Sequence, residues 1–390
     1  MSTFVITPID PIISRDSRPF GAISGARVRS LDWIVPSVVC GTLRTIAGKI
    51  AGGFEGELGK LKAVNVTGPF LEKEGIIYFP RPLDFVKSDK QSYTIRPGKI
   101  KYGGTDMPIA GLLPSFIQGM KAEDEDFKPS KIPAFWSLDA MSKWLSEDEQ
   151  FELNSGNCLD SPEKDERVHV SIDPESGSSE EGKLFSTKSL DFKNSEGKGD
   201  SKKISQLRIV IRAETEDARY SKIIDEISTL HPMGGERRLT EWSQIGAGNK
   251  FWIPPEGLEH KIKNSSLRMI LATPAIFANG WLPGWIDEET CVGKIPGTEV
   301  KVKLVSAIVP RWEAISGWSY EVGNSGPKAL RRMTPAGSVY FFDFLDGGNE
   351  IFSLKDVWLR SVCDGFQDRA DGFGAAIWGA WDNTKIDGEN

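Results

Sequence analysis

TFVITPIDPIISRDSRPFGA, Thr3–Ala22, and PSVVCGTLRTIAGKIAGG, Pro36–Gly53, are the stretches whose reading decides the fold. Thr3–Ile6 is apolar and β-branched and reads as a buried strand close to the first residue. Pro11–Ser30 is a polar loop rich in Arg, Gly and Ser. Pro36-Ser37 is a helix start signal, with Ser37 as the candidate N-cap. Val38, Val39, Leu43, Ile46, Ala47 and Ile50 then recur at helical spacing and form an apolar stripe. Gly52-Gly53 ends the helix. Strand, loop and helix in this order suit a ferredoxin-like unit, and also other α/β folds.

Working outward, Val66–Val86 reads as an apolar hairpin closed by prolines. Arg167–Ile172 and Lys183–Phe192 alternate well enough to be two strands of a long hairpin, with Ser176–Gly182 and Asn194–Lys203 as flexible loop tips. Leu207–Ala213 (LRIVIRA) is the clearest strand. Phe251–Pro255 (FWIPP) marks a boundary between halves. Beyond it come strands at Leu267–Thr273, Val300–Val309 and Ser338–Phe344, a short helix or turn at 354–362, and a final strand at Ala375–Trp381. The expected class is α+β in two domains, residues 1–248 with an acidic insert around 122–200, and residues 249–390.

Composition narrows the function. The 390 residues are 39% hydrophobic and 26% charged, as in a soluble globular protein. No apolar run approaches the roughly 20 residues needed to span a bilayer. The N-terminus lacks the basic and apolar regions of a signal peptide, so a cytoplasmic protein is expected, with no membrane partner. The four cysteines (Cys40, Cys158, Cys291, Cys363) and three histidines (His169, His231, His260) show no metal-site spacing, so neither a metal nor another cofactor is expected. The net charge is −7. However, residues 122–200 hold 20 Asp/Glu against 9 Lys/Arg, and the rest of the chain is mildly basic. Local field, not net charge, governs what a surface attracts.

The chemistry-bearing pattern is Gly/Arg punctuation. Pro232–Leu239 reads PMGGERRL: glycine lets backbone approach a ligand closely, and arginine presents a planar fork of donors matched to phosphate oxygens. A charged hairpin end is the plainer alternative. Similar punctuation recurs at Arg15–Gly21, Arg331–Gly337 and Gly365–Gly374. The strip Pro11–Lys49 carries Arg15, Arg18, Arg27, Arg29, Arg44 and Lys49, for which a solvated basic face is the competing reading. Phe20, Trp281, Trp318 and Phe373 lie in Gly-containing loops and are candidates to stack bases, whereas Trp136, Trp144 and Phe341-Phe342 read as core. No phosphate loop, nucleophile elbow or HExxH pair is present. His231, beside PMGGERR, is the one attractive general acid/base, and Asp124, Asp126, Asp346, Asp368 and Asp371 form no selected catalytic pair.

Several segments together resemble a known family. ITPIDPIISRDSRPFGA with PSVVCGTLRTIAG, TGPFLEKEGIIYFPRPLDFV, VHVSIDPESGSSEEGKLF, GGERRL, LATPAIFANGWLPGW, LVSAIVPRW through SGWS, and RRMTPAGSVYFF occur in the order seen in the third subunits of the Cmr effector, the type III-B CRISPR RAMP-module complex. The resemblance implies two fused ferredoxin-like (RRM-like) domains with glycine-rich loops and no catalytic residues. It implies a subunit that grips the 5′ tag of the crRNA, contacts the large polymerase-like subunit and the backbone subunit, and lies near the target RNA. On that reading the RNA-binding candidates are Arg15, Arg18, Phe20, Gly21, Arg27, Arg29, Ser37, Arg44, Gly234, Gly235, Glu236, Arg237, Arg238, Arg331, Arg332, Gly372, Phe373 and Gly374. Two rivals stand beside it: a crRNA-processing endoribonuclease of the same superfamily, in which His231 is catalytic, and a purely protein-binding scaffold.

Overall fold

In the computed structural model the chain is described at residues 1–15, 27–89, 91–100, 109, 111–119, 127–147, 151–196, 203–246, 250–321 and 324–384. It forms two compact units, each drawn from three stretches of chain. Unit 1 is Met1–Ile76, Ser161–Ala247 and Ala314–Arg331; unit 2 is Ile77–Asp160, Gly248–Glu313 and Arg332–Asn390. One crossing between them lies at Ala247/Gly248. The expected contiguous halves do not hold, because residues 77–160 belong with the C-terminal half. The acidic stretch 122–200 is therefore no single insert: it divides at Asp160/Ser161.

Unit 1 is built on β1 (Ser2–Pro8), β2 (Arg27–Arg29), α1 (Pro36–Ile50), β3 (Asn65–Lys73), β4 (Glu163–Ile172), β5 (Ser179–Asp191), β6 (Lys203–Glu214), α2 (Ala218–Asp225), β7 (Thr229–Met233) and β8 (Arg238–Ile245). Its main sheet runs β7-β8-β1-β6-β3, with Val5 opposite both Val210 and Ser243. Every neighbouring pair along it is antiparallel. Phe4, Val5 and Ile6 are buried because β1 lies centrally, with a strand on each side. Of the stripe on α1, Val39, Leu43, Ile46 and Ala47 are buried, and Ile50 is exposed at the helix end. Ala47 packs with Leu61 and Tyr220, which brings α1 and α2 into one core cluster.

The helix starts two positions earlier than the sequence suggests. Val35 is the N-cap, extended and without a side-chain cap, and Pro36 takes the first helical position. Proline is suited there, since its fixed φ is helical and its missing N–H would have had no partner. Ser37 is thus already inside the first turn. A second small sheet joins β4, β5 and β2, with β2 parallel to β5. The segment expected as a loop tip after Asp191 instead contains a strand, Lys193–Glu196, paired with β6.

Unit 2 contains α3 (Leu258–Lys263), β9 (Ser266–Leu271), β10 (Val292–Lys294), β11 (Lys301–Ile308), β12 (Val339–Phe344), the short helices α4 (Gly348–Ile351), α5 (Leu354–Val357) and α6 (Phe366–Asp371), and β13 (Ala376–Trp381). The sheet order is β10-β11-β12-β9-β13. All six residues of β9 and of β13 are buried, which accounts for their nearly unbroken apolar sequence. Between β9 and β10, where unit 1 places α1, the chain runs as turns and isolated bridges through the GWLPGW segment. No helix forms along it, because prolines and glycines interrupt every possible apolar stripe. Residues 77–160 anchor to this unit through aromatics: Phe79 stacks on Phe251 with centroids 4.3 Å apart.

A charged clasp lies in the same core. Asp84 is fully buried and accepts from Arg268, from Arg96 Nη1 at 2.9 Å and from Trp144 Nε1 at 3.0 Å. Arg268, also fully buried, donates in addition to the Trp144 carbonyl at 2.7 Å, and Arg96 reaches Glu147 at 2.8 Å.

Candidate nucleic-acid interface

Four residues, Ile12–Arg15, organise the basic part of unit 1. Ile12 exchanges backbone hydrogen bonds with Leu190 of β5, at 2.9 and 2.8 Å. The Ile13 carbonyl accepts the N–H of Gly235 at 2.8 Å. The Ser14 carbonyl accepts the N–H of Leu31 at 2.8 Å. The Ser14 hydroxyl, fully buried, accepts the N–H of Val35 at 3.2 Å, and the Ser14 N–H donates to Ser30 Oγ at 3.1 Å. Arg15 then bridges to Ser30. One short segment, through its backbone and the Ser14 hydroxyl, thus ties together the basic strip, the start of α1, the long hairpin and the GGERR turn.

The arginines sit on the segments so joined. On β2, Val28 is buried and Arg27 and Arg29 are exposed, the alternation of a half-buried strand. Arg29 lies opposite Lys188 of β5. Gly234–Arg237 forms the end of the β7–β8 hairpin, closed by Met233 opposite Arg238. Gly234 adopts φ 73°, and a Cβ there would lie 2.6 Å from the Ile13 carbonyl oxygen. The close approach that this glycine permits is therefore to the chain's own backbone. Glu236 and Arg237 follow with φ 56° and 53°, a left-handed conformation uncommon for residues with side chains. Arg237 is exposed; Arg238 is held by Glu236 at 2.9 Å.

His231, on β7, sits beside this turn. Its Nδ1 is 2.8 Å from the Pro232 carbonyl, so Nδ1 carries the proton and Nε2, 3.1 Å from Lys49 Nζ, accepts. Burial pushes the imidazole below its ordinary pKa; the Pro232 hydrogen bond opposes that, and Lys49 and Arg237 add to the fall. The ring is neutral at pH 7, with its acceptor nitrogen engaged by an ammonium. Among the described residues no group of three or more His, Cys, Asp or Glu is placed to hold a metal.

Other candidates are used differently from expectation. Arg44 donates to the carbonyls of Lys62 and Val64 at 2.9 and 2.7 Å, so its guanidinium holds backbone within unit 1. Ser37 is half-buried in the first turn of α1. Phe373 is fully buried and offers no stacking face. Gly372 ends α6, and its carbonyl accepts the Thr273 hydroxyl at 2.8 Å. A Cβ on Gly374 would lie 2.6 Å from the Cys363 sulfur. The final Gly-rich loop is thus an internal packing element of unit 2. Arg331 is half-buried and Arg332 exposed. Arg18, Phe20 and Gly21 lie outside the described residues, as do Asp124 and Asp126. Lys188, opposite Arg29, and the exposed Arg311 and Trp312, which directly follow an alternating strand in VPRW, were not among the sequence candidates.

Residues 4–381 match the family model described as CRISPR-associated protein (Cas_Cmr3). No curated protein matches the chain. The chain is similar, at 17% identity and a TM-score of 0.47, to a chain in the cryo-EM structure of the type III-B Cmr-beta bound to cognate target RNA and AMPPnP, state 1; the likeness covers 87% of this chain and 86% of that one. A chain of the type III-B Cmr-beta bound to cognate target RNA gives 15% identity, the same coverage and a TM-score of 0.47. A chain in the crystal structure of the Csm3-Csm4 subcomplex of the type III-A CRISPR-Cas interference complex gives 12% identity over 88% of this chain and 94% of that one, with a TM-score of 0.39.

Proposed function

This chain belongs to the Cas_Cmr3 family of CRISPR-associated proteins, and from that premise we propose that it is a non-catalytic, RNA-gripping subunit of a type III-B effector complex. In this reading it holds the repeat-derived 5′ tag of the crRNA. It also bridges the large polymerase-like subunit to the backbone subunit, near the target RNA, in antiviral defence. The observation that carries the reading is the joining of Arg15, Arg27, Arg29 and the Arg237 turn through Ile12–Arg15. Guanidiniums fixed on a rigid backbone hub suit phosphates at set positions, and neutralised phosphates make binding salt-dependent.

The fold supports the same reading. In unit 1 the chain order β1, α1, β3, β6, α2, β8 with sheet order β8-β1-β6-β3 is that of a ferredoxin-like unit, and unit 2 repeats the strand order without the first helix. The neutral, lysine-bonded His231 supports a binding role over the endoribonuclease rival.

A subunit that serves many guides depends on what every guide shares. The complex reconstituted with this chain should bind RNA bearing the 5′ tag and lose affinity when tag bases are scrambled, while tolerating any change in the adjoining guide. Equal affinity for tagged and scrambled RNA would overturn tag reading and leave a general electrostatic grip. No RNA binding at all would leave the scaffold.

A further inference from the structure

Unit 2 holds a cavity of about 410 Å³ that shares no residue with the arginine hub of unit 1. It lies within the range of roughly 300–1,000 Å³ usual for small-ligand clefts. The GWLPGW turn contributes Asn279 and Trp281, the segment following β11 contributes Pro310, Arg311 and Trp312, and β12's approach contributes Arg332. No carboxylate is among the described residues lining it. Trp312 is 44% exposed, and the Arg332 guanidinium lies over its ring, 5.0 Å from the centroid. The backbone of the turn is fixed from below: the buried Tyr340 donates to the Trp281 carbonyl at 2.5 Å, and the buried Thr334 to the Gly280 carbonyl at 3.1 Å.

We propose that this cavity takes one unstacked nucleobase of a single-stranded RNA, with the base against the indoles and the adjoining phosphate toward Arg311 and Arg332. An apolar side chain would leave two guanidiniums without use, and an acidic peptide would leave two indoles without use. A nucleotide supplies a planar ring and an anion together. Aromatic and guanidinium planes both stack on bases irrespective of base identity, and a pre-fixed loop loses little freedom on binding. The site therefore adds purchase on the strand without reading its sequence. This inference rests on the RNA-binding reading above.

The test uses the full chain and a labelled short single-stranded RNA, together with versions of that RNA each carrying one abasic position. Trp312→Leu should weaken the intact RNA about tenfold, and Trp312→Phe should restore most of the affinity. One abasic strand should weaken the wild type to a similar degree and weaken Trp312→Leu no further. If wild-type protein binds the RNA while Trp312→Leu and every abasic strand leave affinity unchanged, the cavity assignment is overturned and RNA binding stands. Absence of RNA binding by the wild type overturns both. A free nucleoside monophosphate that binds as tightly as the RNA, and is not displaced by it, overturns the strand as the ligand.

Discussion

Arginine has opposite uses on the hub of unit 1 and in the core of unit 2. On the hub of unit 1, Arg27, Arg29 and Arg237 point to solvent from backbone that is itself fixed. In unit 2, Arg268 and Arg96 close on Asp84, against the Trp144 ring. These two guanidiniums turn their terminal nitrogens to protein acceptors, and those hydrogen bonds offset the cost of desolvation. The exposed set leaves its guanidiniums in contact with solvent. An arginine's use is decided by the acceptors its backbone position brings within reach.

The contrast is most directly broken at Asp84. Asp84→Ala would strand a buried guanidinium, and should cost about 3–5 kcal/mol of stability in a denaturant titration. RNA affinity of the protein that remains folded should not change. A loss below about 1 kcal/mol would show that Arg268 finds another partner. On the exposed side, Arg237→Ala with Arg238→Ala should leave stability within about 0.5 kcal/mol while weakening RNA binding. The log–log salt slope should fall by roughly 0.7 for each phosphate that the variant no longer neutralises. Unchanged affinity at low salt in the folded double variant would remove this turn from the interface.

The smallest effect concerns pH. The folded pKa of His231 lies below the value it has in the unfolded chain. Its contribution to stability is therefore complete above that ordinary value, about 6.5, and is lost as pH falls through the folded value. His231→Gln should make the decline of stability below about pH 6.5 shallower. An identical acid limb in the variant would mean that the imidazole titrates alike in both states.

Strands were the part of the fold most open to sequence reading. Leu207–Ala213 and Val300–Val309 alternate, and Ser338–Phe344 is densely apolar; the last two coincide with observed strands to within a residue at each end, and the first lies inside a strand that begins four residues earlier, at Lys203. The burial of Trp136, Trp144, Phe341 and Phe342 follows from the same local logic. Features set by distant chain were not legible. The position of Gly234 is dictated by the Ile13 carbonyl, and that of Gly374 by Cys363, so both glycines resembled ligand loops. Flanking glycines made Phe373 look exposed, although it packs into the core. Ser37 fitted an N-cap pattern, yet the proline beside it set the helix start.

The interleaving of the units bears on synthesis. Unit 1 is incomplete until residues 314–331 have been made, and residues 77–160 lack the rest of unit 2 until chain beyond 248 is present. A nascent chain emerging from the ribosome must therefore keep its first apolar strand, Phe4–Ile6, waiting for partners made much later. Pairing between such distant segments slows folding and leaves sticky surface uncovered meanwhile. A gene fragment ending at residue 248 would encode no self-sufficient half, and its product would depend on chaperones to stay in solution.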